Sequence, residues 1–429
     1  MDSRPPLRDI FRGPRGRLLA ALLVTEFAAG VSGISYAAVL PVASIELDGL
    51  AQYGIAVAVT GVVGIAMMPV GAYLYARIGP QAQLWIATAV FLGGVALTVT
   101  APSMTVLITG LAVRGLATGL LAGLGIGVLS TVYTEAAERE RAFGLFALMW
   151  VIPSLVGPAV TSLVLLLADW RVALAWPAMV LLLGRVLVSR SLRALDIERT
   201  EAPASVRGAG WFAGVAVGLA AALVLIGFDA LPSVGAAVVI TGLVVVLAFP
   251  QALASVVAEN RRVRSGAVAF AIVCARCFGI NAVLPLVSAV FVDPSGVLGA
   301  VLVAVAPLGW ALVSAGGAGA RLSTRDAYRL SAIVFPIAAL AMGLVYPKVL
   351  ADAFTDFREQ PGESRAHGGV AMELGEGVGT AAGSSVVAGV GGVIVASAGG
   401  GEVALFMVAV GAVITVLFGA ARRNPTWSG

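Results

Sequence analysis

Residues 104–127 read MTVLITGLAVRGLATGLLAGLGIG, an apolar run that contains a single charged side chain, Arg114. A helix that crosses the hydrocarbon layer of a bilayer needs about 20 such residues. Glycines recur here at every fourth residue, so they form one stripe along which another helix can approach closely. They are Gly115, Gly119, Gly123 and Gly127. A charge inside an apolar helix is costly and typically faces a partner or a water-filled cavity, so Arg114 is a candidate functional residue.

The whole chain shares this apolar character. Of its 429 residues, 59% are hydrophobic and 12% are charged, and the mean hydropathy is +1.00. This composition excludes a soluble globular domain and a disordered chain. The runs are continuous and of helix length, unlike the alternating segments of a membrane barrel, so they predict an all-α polytopic membrane protein. Thirteen candidate spans lie at 18–41, 52–76, 83–101, 104–131, 142–168, 172–190, 211–228, 233–257, 266–291, 295–318, 328–350, 368–398 and 402–421.

The distribution of arginines predicts the orientation. If the N-terminus is cytoplasmic, the tail and the loops after even-numbered spans hold nineteen arginines, Arg185 among them. The loops after odd-numbered spans, up to the tenth span, hold Arg171 alone. Since basic residues mark the cytoplasmic side, we expect a multi-pass protein of the cell inner membrane with its N-terminus in the cytoplasm. Arg422 and Arg423 in the C-terminal tail favour an even number of spans, which residues 328–357 would supply if they form two short helices.

Metal and cofactor chemistry has little support in the sequence. The chain has one histidine, His367, which excludes a multi-histidine metal site within one chain. Cys274 and Cys277 form a C-x-x-C pattern inside an apolar run, which favours two small buried hydrophobes over a redox or metal site. We expect no cofactor, no metal and no nucleic-acid partner.

Several short motifs carry a resemblance to a known family. GAYLYARIG occupies residues 71–79, Gly157-Pro158 follows Pro153 by one helical turn, and Trp170-Arg171 precedes the sixth span. Together with Arg114 in the fourth span, these residues resemble the major facilitator superfamily, and within it the drug:proton antiporters with fourteen helices. The resemblance implies two six-helix-like bundles with an extra linker hairpin, 13–14 spans in all. It implies a cytoplasmic tail at 1–17, an N-terminal bundle at 18–190, a linker with a peripheral helix pair at 191–258, a C-terminal bundle at 259–421 and a tail at 422–429.

The chain also departs from the family pattern. Tyr75 stands where the loop motif has an acid, Pro80 and Gln81 stand where it has basic residues, and Val31 stands where the first-helix motif has an aspartate. In the family this acid–base cluster latches the cytoplasmic side, and here Arg77 alone remains.

The function that the resemblance implies is secondary active transport without catalysis. We expect proton-coupled efflux of a small amphipathic compound, a drug or a metabolite, by alternating access of a monomer in the lipid bilayer. The missing acid at Tyr75 favours an alternative, a degenerate and uncoupled protein that acts as a membrane partner or sensor. A membrane-embedded enzyme is a weaker alternative. Such enzymes usually carry acidic residues on a sizeable external loop, and the external loops predicted for this chain are too short for that.

Five ionisable residues inside the apolar runs are candidates for proton coupling or substrate binding. Glu26 lies near the middle of the first span, where an ionisable side chain is a functional hypothesis by default, and Arg114 is its expected partner. Arg276 is a further charge within a span. Glu373 and Glu376 lie three residues apart on one helix face, and they either bind a cation or proton or form an interfacial pair.

A second set of residues is expected to act in the conformational change. The resemblance assigns helix contacts that move during alternating access to these positions, which are Gly71, Arg77, Gly79, Gly119, Gly123, Gly157 and Pro158.

Overall fold

The computed structural model describes residues 7–121, 124–133, 136–195, 271, 274, 282, 284–292 and 294–303. Within these ranges the chain is helical and contains no strand. The helices are α1 (Leu7–Ile10), α2 (Gly13–Glu46), α3 (Tyr53–Val99), α4 (Met104–Leu121), α5 (Leu124–Val132), α6 (Ala136–Leu167) and α7 (Trp170–Leu195), with a short 3₁₀ turn at Leu50–Gln52. Residues 284–291 and 297–303 are also helical.

Five of these segments are long and apolar enough to cross a membrane. They are Gly13–Glu46, Leu50–Met68, Arg77–Val99, Met104–Leu121 and Trp170–Leu195, and a shorter apolar helix occupies Ile152–Leu167. They coincide with the first six spans predicted from the sequence, and the all-α membrane fold is confirmed. The remaining spans fall mainly outside the described residues, and the linker hairpin and the C-terminal tail lie wholly outside them. The predicted N-terminal tail at 1–17 is described from residue 7, where it contains α1 and the start of α2.

The loop predicted between the second and third spans is reduced to a single reversing residue. Gly79 has φ 82° and ψ 165°, a conformation open only to glycine. The first arm of α3 runs parallel to α4, because Thr60 lies against Gly115 and Gly71 lies against Leu120. The second arm runs antiparallel to α4, with Gly94 against Gly110. The two arms of α3 therefore form a hairpin around Gly79.

Glycines bring α4 into backbone contact with both arms of α3. A Cβ on Gly115 would lie 2.7 Å from the carbonyl oxygen of Thr60, and one on Gly119 would overlap the carbonyl oxygen of Gly64. On the second arm, a Cβ on Gly94 would lie 2.8 Å from the carbonyl oxygen of Gly110. The stripe predicted from the sequence is a close helix–helix contact at Gly115 and Gly119. Gly123 lies outside the described residues.

Helix α2 is central to the described bundle. It packs antiparallel to α7, with Thr25 against Gly184, and parallel to α6, with Gly30 against Pro153. A buried hydrogen bond of 2.7 Å between the hydroxyls of Ser35 and Thr161 joins α2 to α6 further along. We call the end of the bundle where α2 begins the N-terminal end, and the end near Glu46 the opposite end.

Substituting Gly119 with alanine is predicted to destabilise the bundle. The new methyl group collides with the backbone of Gly64 and with Met67, so the free energy of unfolding should fall by about 1–3 kcal/mol. Gly93→Ala is the matched control, since a Cβ on Gly93 meets no atom within 4 Å and alanine favours a helix. Thermal unfolding in detergent micelles measures both variants. Equal melting temperatures for the two would contradict the packing role of Gly119.

Candidate functional site

Arg114 lies buried in the middle of the bundle, with 6% of its surface exposed. Its Nη2 donates a hydrogen bond of 2.9 Å to the hydroxyl of Ser32 on α2. Its guanidinium carbon lies 3.4 Å from the centroid of the Tyr36 ring and 5.3 Å from that of Phe91. The side chain fits against α3 because residue 94 is glycine, where a Cβ would lie 2.7 Å from Cγ of Arg114.

Among the described residues, Arg114 contacts a hydroxyl and aromatic faces rather than a carboxylate. A guanidinium over an aromatic face gains up to about 2 kcal/mol when water is excluded, which offsets part of the cost of burying the charge. The sequence predicted Glu26 as its partner. In the described part of the chain no ion pair joins Glu26 to Arg114, whose hydrogen bond goes to Ser32 instead.

A second buried arginine, Arg185 on α7, was counted from the sequence among the cytoplasmic arginines. It is 4% exposed, and its guanidinium carbon lies 4.9 Å from the centroid of the Phe91 ring. Its Nε and Nη1 have no hydrogen-bond partner among the described residues. The Phe91 ring is therefore a neighbour of two buried guanidinium groups. Its burial could have been predicted from its position in the sequence, because Arg185 lies inside the sixth apolar run, one helical turn after Leu181.

Glu26 lies on the most accessible face of α2. The two exposed residues between positions 21 and 44 are Ala29 and Gly33. They follow Glu26 at spacings of three and seven, so they share its face of the helix. Glu26 itself is half-buried, and a Cβ on Gly33 meets nothing within 4 Å. We call Glu26, Ala29 and Gly33 the open stripe. The neighbouring face of α2 carries Ser32 and Tyr36 toward Arg114.

The Gly-Pro motif of α6 packs against this central helix. Gly157 lies against Ile34, with 3.4 Å from a built Cβ to the Ile34 methyl group, and Pro153 lies 3.0 Å from a built Cβ on Gly30. Pro153 and Pro158 lack the N–H that a helix interior requires, so each removes one hydrogen bond of α6 near the contact.

The hairpin turn of α3 is held by the side-chain amide of Gln83. Gln83 is 1% exposed, and its Nε2 donates to the carbonyl oxygen of Gly71 at 2.8 Å and to that of Leu120. Arg77 is exposed and donates to the hydroxyl of Tyr73 at 2.8 Å. Gln83 was not singled out in the sequence, because no motif marks a neutral side chain in this role.

At the opposite end, the first helices contact a later part of the chain. The Tyr53 hydroxyl is buried and donates a hydrogen bond of 2.7 Å to the carbonyl oxygen of Ala282. Gly296, with φ 78°, lies against Val42 of α2. Nearby, Arg171 forms ion pairs with Glu46 at 3.0 Å and Asp169 at 2.9 Å.

Four of the predicted site residues cannot be placed among the helices described above. Arg276, Glu373, Glu376 and Gly123 lie outside the described residues. Cys274 is buried, as expected for a small hydrophobe. Over the described ranges, no cluster of three His, Cys, Asp or Glu side chains is placed to hold a metal ion.

The ring of Tyr36 is predicted to stabilise the buried charge of Arg114 more than its hydroxyl does. Tyr36→Phe keeps the ring and loses the 3.0 Å hydrogen bond to Thr98, which should cost about 1 kcal/mol of stability. Tyr36→Leu also removes the aromatic ring that lies against the Arg114 guanidinium, and it should lower the free energy of unfolding by about 2–4 kcal/mol. Thermal unfolding of the two purified variants measures the difference. Equal losses would show that the ring contact adds no stability.

Comparison with known proteins supports the fold. No family model matches the chain. Over 118 residues, 28% of the chain, the sequence is 32% identical to proteins named "probable multidrug-efflux transporter" from two strains of Mycobacterium tuberculosis. The match spans a quarter (25%) of the length of those relatives.

Solved structures match over almost the whole chain. A peptide transporter POT in complex with sulfate is 17% identical, covers 97% of both chains and has a TM-score of 0.68. A POT family transporter in complex with 5-aminolevulinic acid is 14% identical, covers 93% of this chain and 94% of its own, and has a TM-score of 0.65. At these identities the likeness concerns the fold. The chain is a multi-pass membrane protein with the major facilitator type of fold.

Proposed function

We propose that the protein is a secondary active transporter that exports a small amphipathic compound in exchange for protons, by alternating access in the cell inner membrane. The observation that carries this proposal is the position of Glu26. Of the acidic residues in the described helices, it is the one that lies far from a helix end, and it is part of the open stripe of α2. A carboxylate at this depth that reaches an accessible surface can take up and release a proton during transport.

The comparisons support the class of activity. The relatives in Mycobacterium tuberculosis are named as multidrug-efflux transporters, and the solved structures that share the fold are transporters of small molecules. In transporters built from repeated helix bundles, substrate and coupling ion bind near the midplane while the bundles rock around the site. A monomer, a cytoplasmic N-terminus and a role without catalysis belong to the same proposal.

The contacts at the opposite end support a state that is closed on that side. Tyr53 and Gly296 each join the first helices to residues 282–303, while the open stripe of α2 stays accessible. Alternating access then requires these contacts to break and the open stripe to become reachable from the opposite end. The contact of Gly157 with Ile34 is the helix contact that we expect to adjust.

An uncoupled membrane protein is the second candidate. The neutral Gln83 in the hairpin turn and the absence of an acid beside Arg114 in the described part of the chain favour it. Both candidate functions are compatible with the same fold, so a measurement of substrate-dependent proton movement distinguishes them.

Glu26→Gln is predicted to abolish proton coupling. Inside-out vesicles with an imposed pH gradient, reported by a fluorescent amine, are challenged with amphipathic cations, zwitterions and neutral compounds. At least one compound should dissipate the gradient with the wild-type protein and none with Glu26→Gln. Glu46→Gln is the matched control, since Glu46 is exposed and paired with Arg171. Gradient-driven export by the Glu26→Gln variant would contradict the role of Glu26. If no compound dissipates the gradient with the wild-type protein, the result would favour the uncoupled candidate.

Tyr53→Phe is predicted to loosen the closure at the opposite end. Loss of the hydrogen bond to Ala282 removes about 1 kcal/mol, which changes the population of the closed state about fivefold. A cysteine introduced by Gly33→Cys, in a Cys274→Ser and Cys277→Ser background, should react about fivefold faster with an impermeant maleimide supplied from the opposite side. Tyr73→Phe, at the N-terminal end, is the control. An unchanged rate would show that Tyr53 does not gate access.

A further inference from the structure

We propose that Arg185, rather than Arg114, is the cationic partner of Glu26 once that carboxylate has lost its proton. The proposal rests on the proposed proton coupling, and it identifies Arg185 as the group that responds when Glu26 loses its proton. It is carried by the contact between α2 and α7 and by the unused hydrogen-bond donors of Arg185.

Helices α2 and α7 touch at one level of the bundle. A Cβ on Gly184 would lie 2.7 Å from Oγ1 and 3.1 Å from Cα of Thr25, so the two backbones meet there. Glu26 and Arg185 are the next residues on their helices and therefore lie at nearly the same depth. An arginine side chain is long enough to turn from Phe91 toward an acid on the facing helix.

The hydrogen-bond inventory distinguishes the two arginines. Arg114 already donates to Ser32 and lies over the Tyr36 ring at 3.4 Å, and among the described residues its Nε alone has no partner. Arg185 contacts the Phe91 ring at 4.9 Å, and two of its nitrogens have no partner among the described residues. A guanidinium stays protonated under physiological conditions, so a buried one without a counter-charge is strongly destabilising. Among the acids of the described residues, Glu26 is the one that lies at the level of Arg185 on a helix packed against α7.

Other charged and titratable groups on the helices packed against α2 lie elsewhere. Arg114 of α4 is the second charge in the bundle interior, about one and a half helical turns further along α2, where it meets Ser32. The remaining described groups lie near helix ends or near the α3 turn, and they are Tyr53, Tyr73, Tyr75, Arg77, Glu138, Arg171, Arg190 and Arg193.

The switch exchanges one proton for one ion pair. With Glu26 protonated, Arg185 stays over Phe91. When Glu26 releases its proton to water at the open stripe, the carboxylate and the Arg185 guanidinium form a charge-assisted pair between α2 and α7. The charge of Arg185 stays the same in both arrangements. The protonation of Glu26 therefore decides whether Arg185 lies against Phe91 or pairs with Glu26.

Carbodiimide labelling tests the pairing directly. A hydrophobic carbodiimide modifies carboxyl groups in their protonated form, so the modified fraction of Glu26, measured by peptide mass spectrometry from pH 5 to 9, reports its protonation. In the full-length protein in lipid vesicles, Arg185→Gln should move the labelling midpoint upward by about one pH unit, because the deprotonated form loses its partner. Arg185→Lys should stay close to wild type, and Arg114→Gln should move the midpoint much less than Arg185→Gln.

Two results would overturn the proposal. One is a midpoint that Arg185→Gln leaves unchanged, and the other is a shift with Arg114→Gln that equals or exceeds it. If Arg185→Gln does not fold, the double variant Glu26→Gln/Arg185→Gln gives the second measurement. Removal of both partners should restore much of the expression and melting temperature lost in Glu26→Gln or Arg185→Gln alone, and additive losses would contradict a pair.

Labelling needs neither a substrate nor transport. A shifted midpoint in a protein that moves no compound would therefore leave the pair intact and remove the antiport proposal. The reverse result, coupled transport with an unshifted midpoint, would remove the pair alone.

Discussion

Backbone contact between α4 and the two arms of α3 is the constraint on which the rest of the described bundle depends. In lipid, helices gain little from the hydrophobic effect, so association relies on close van der Waals contact, which small residues permit. Gly115 and Gly119 meet the first arm and Gly110 meets the second, which fixes α4 in depth and rotation. Arg114 stands between these glycines, so its guanidinium is delivered to Ser32 and Tyr36 of α2 by packing rather than by charge attraction.

Helix α2 presents two neighbouring faces of different character. One face contacts Arg114 through Ser32 and Tyr36, and the other carries Glu26 with the accessible residues Ala29 and Gly33. In the proposed mechanism, a proton taken up at Glu26 changes the charge of the helix that contacts Arg114 and packs against α7, which carries Arg185. Coupling of a proton to a rocking motion needs an ionisable group whose charge affects the packing of neighbouring helices.

Much of the fold could be predicted because it depends on local patterns. Continuous apolar runs predicted the helices, the four-residue spacing of glycines predicted close packing at Gly115 and Gly119, and an isolated charge predicted a buried Arg114. Arg185 was misassigned because it lies near the end of an apolar run, where a helix boundary is uncertain by a turn. The partner of Glu26 depends on which helix faces it, and no local spacing contains that information. Gln83 gave no signal because a neutral amide satisfies backbone carbonyls only after the hairpin has formed.

The reversal at Gly79 also ties two spans to one position in the chain. With one reversing residue at the turn, no loop separates the two arms of α3, so both arms end at the depth of Gly79. Tyr53 and Val99, the outer ends of the two arms, therefore lie at the other end of the bundle from Gly79 and the exposed Arg77. The relative depth of two spans thus depends on the backbone conformation of a single glycine.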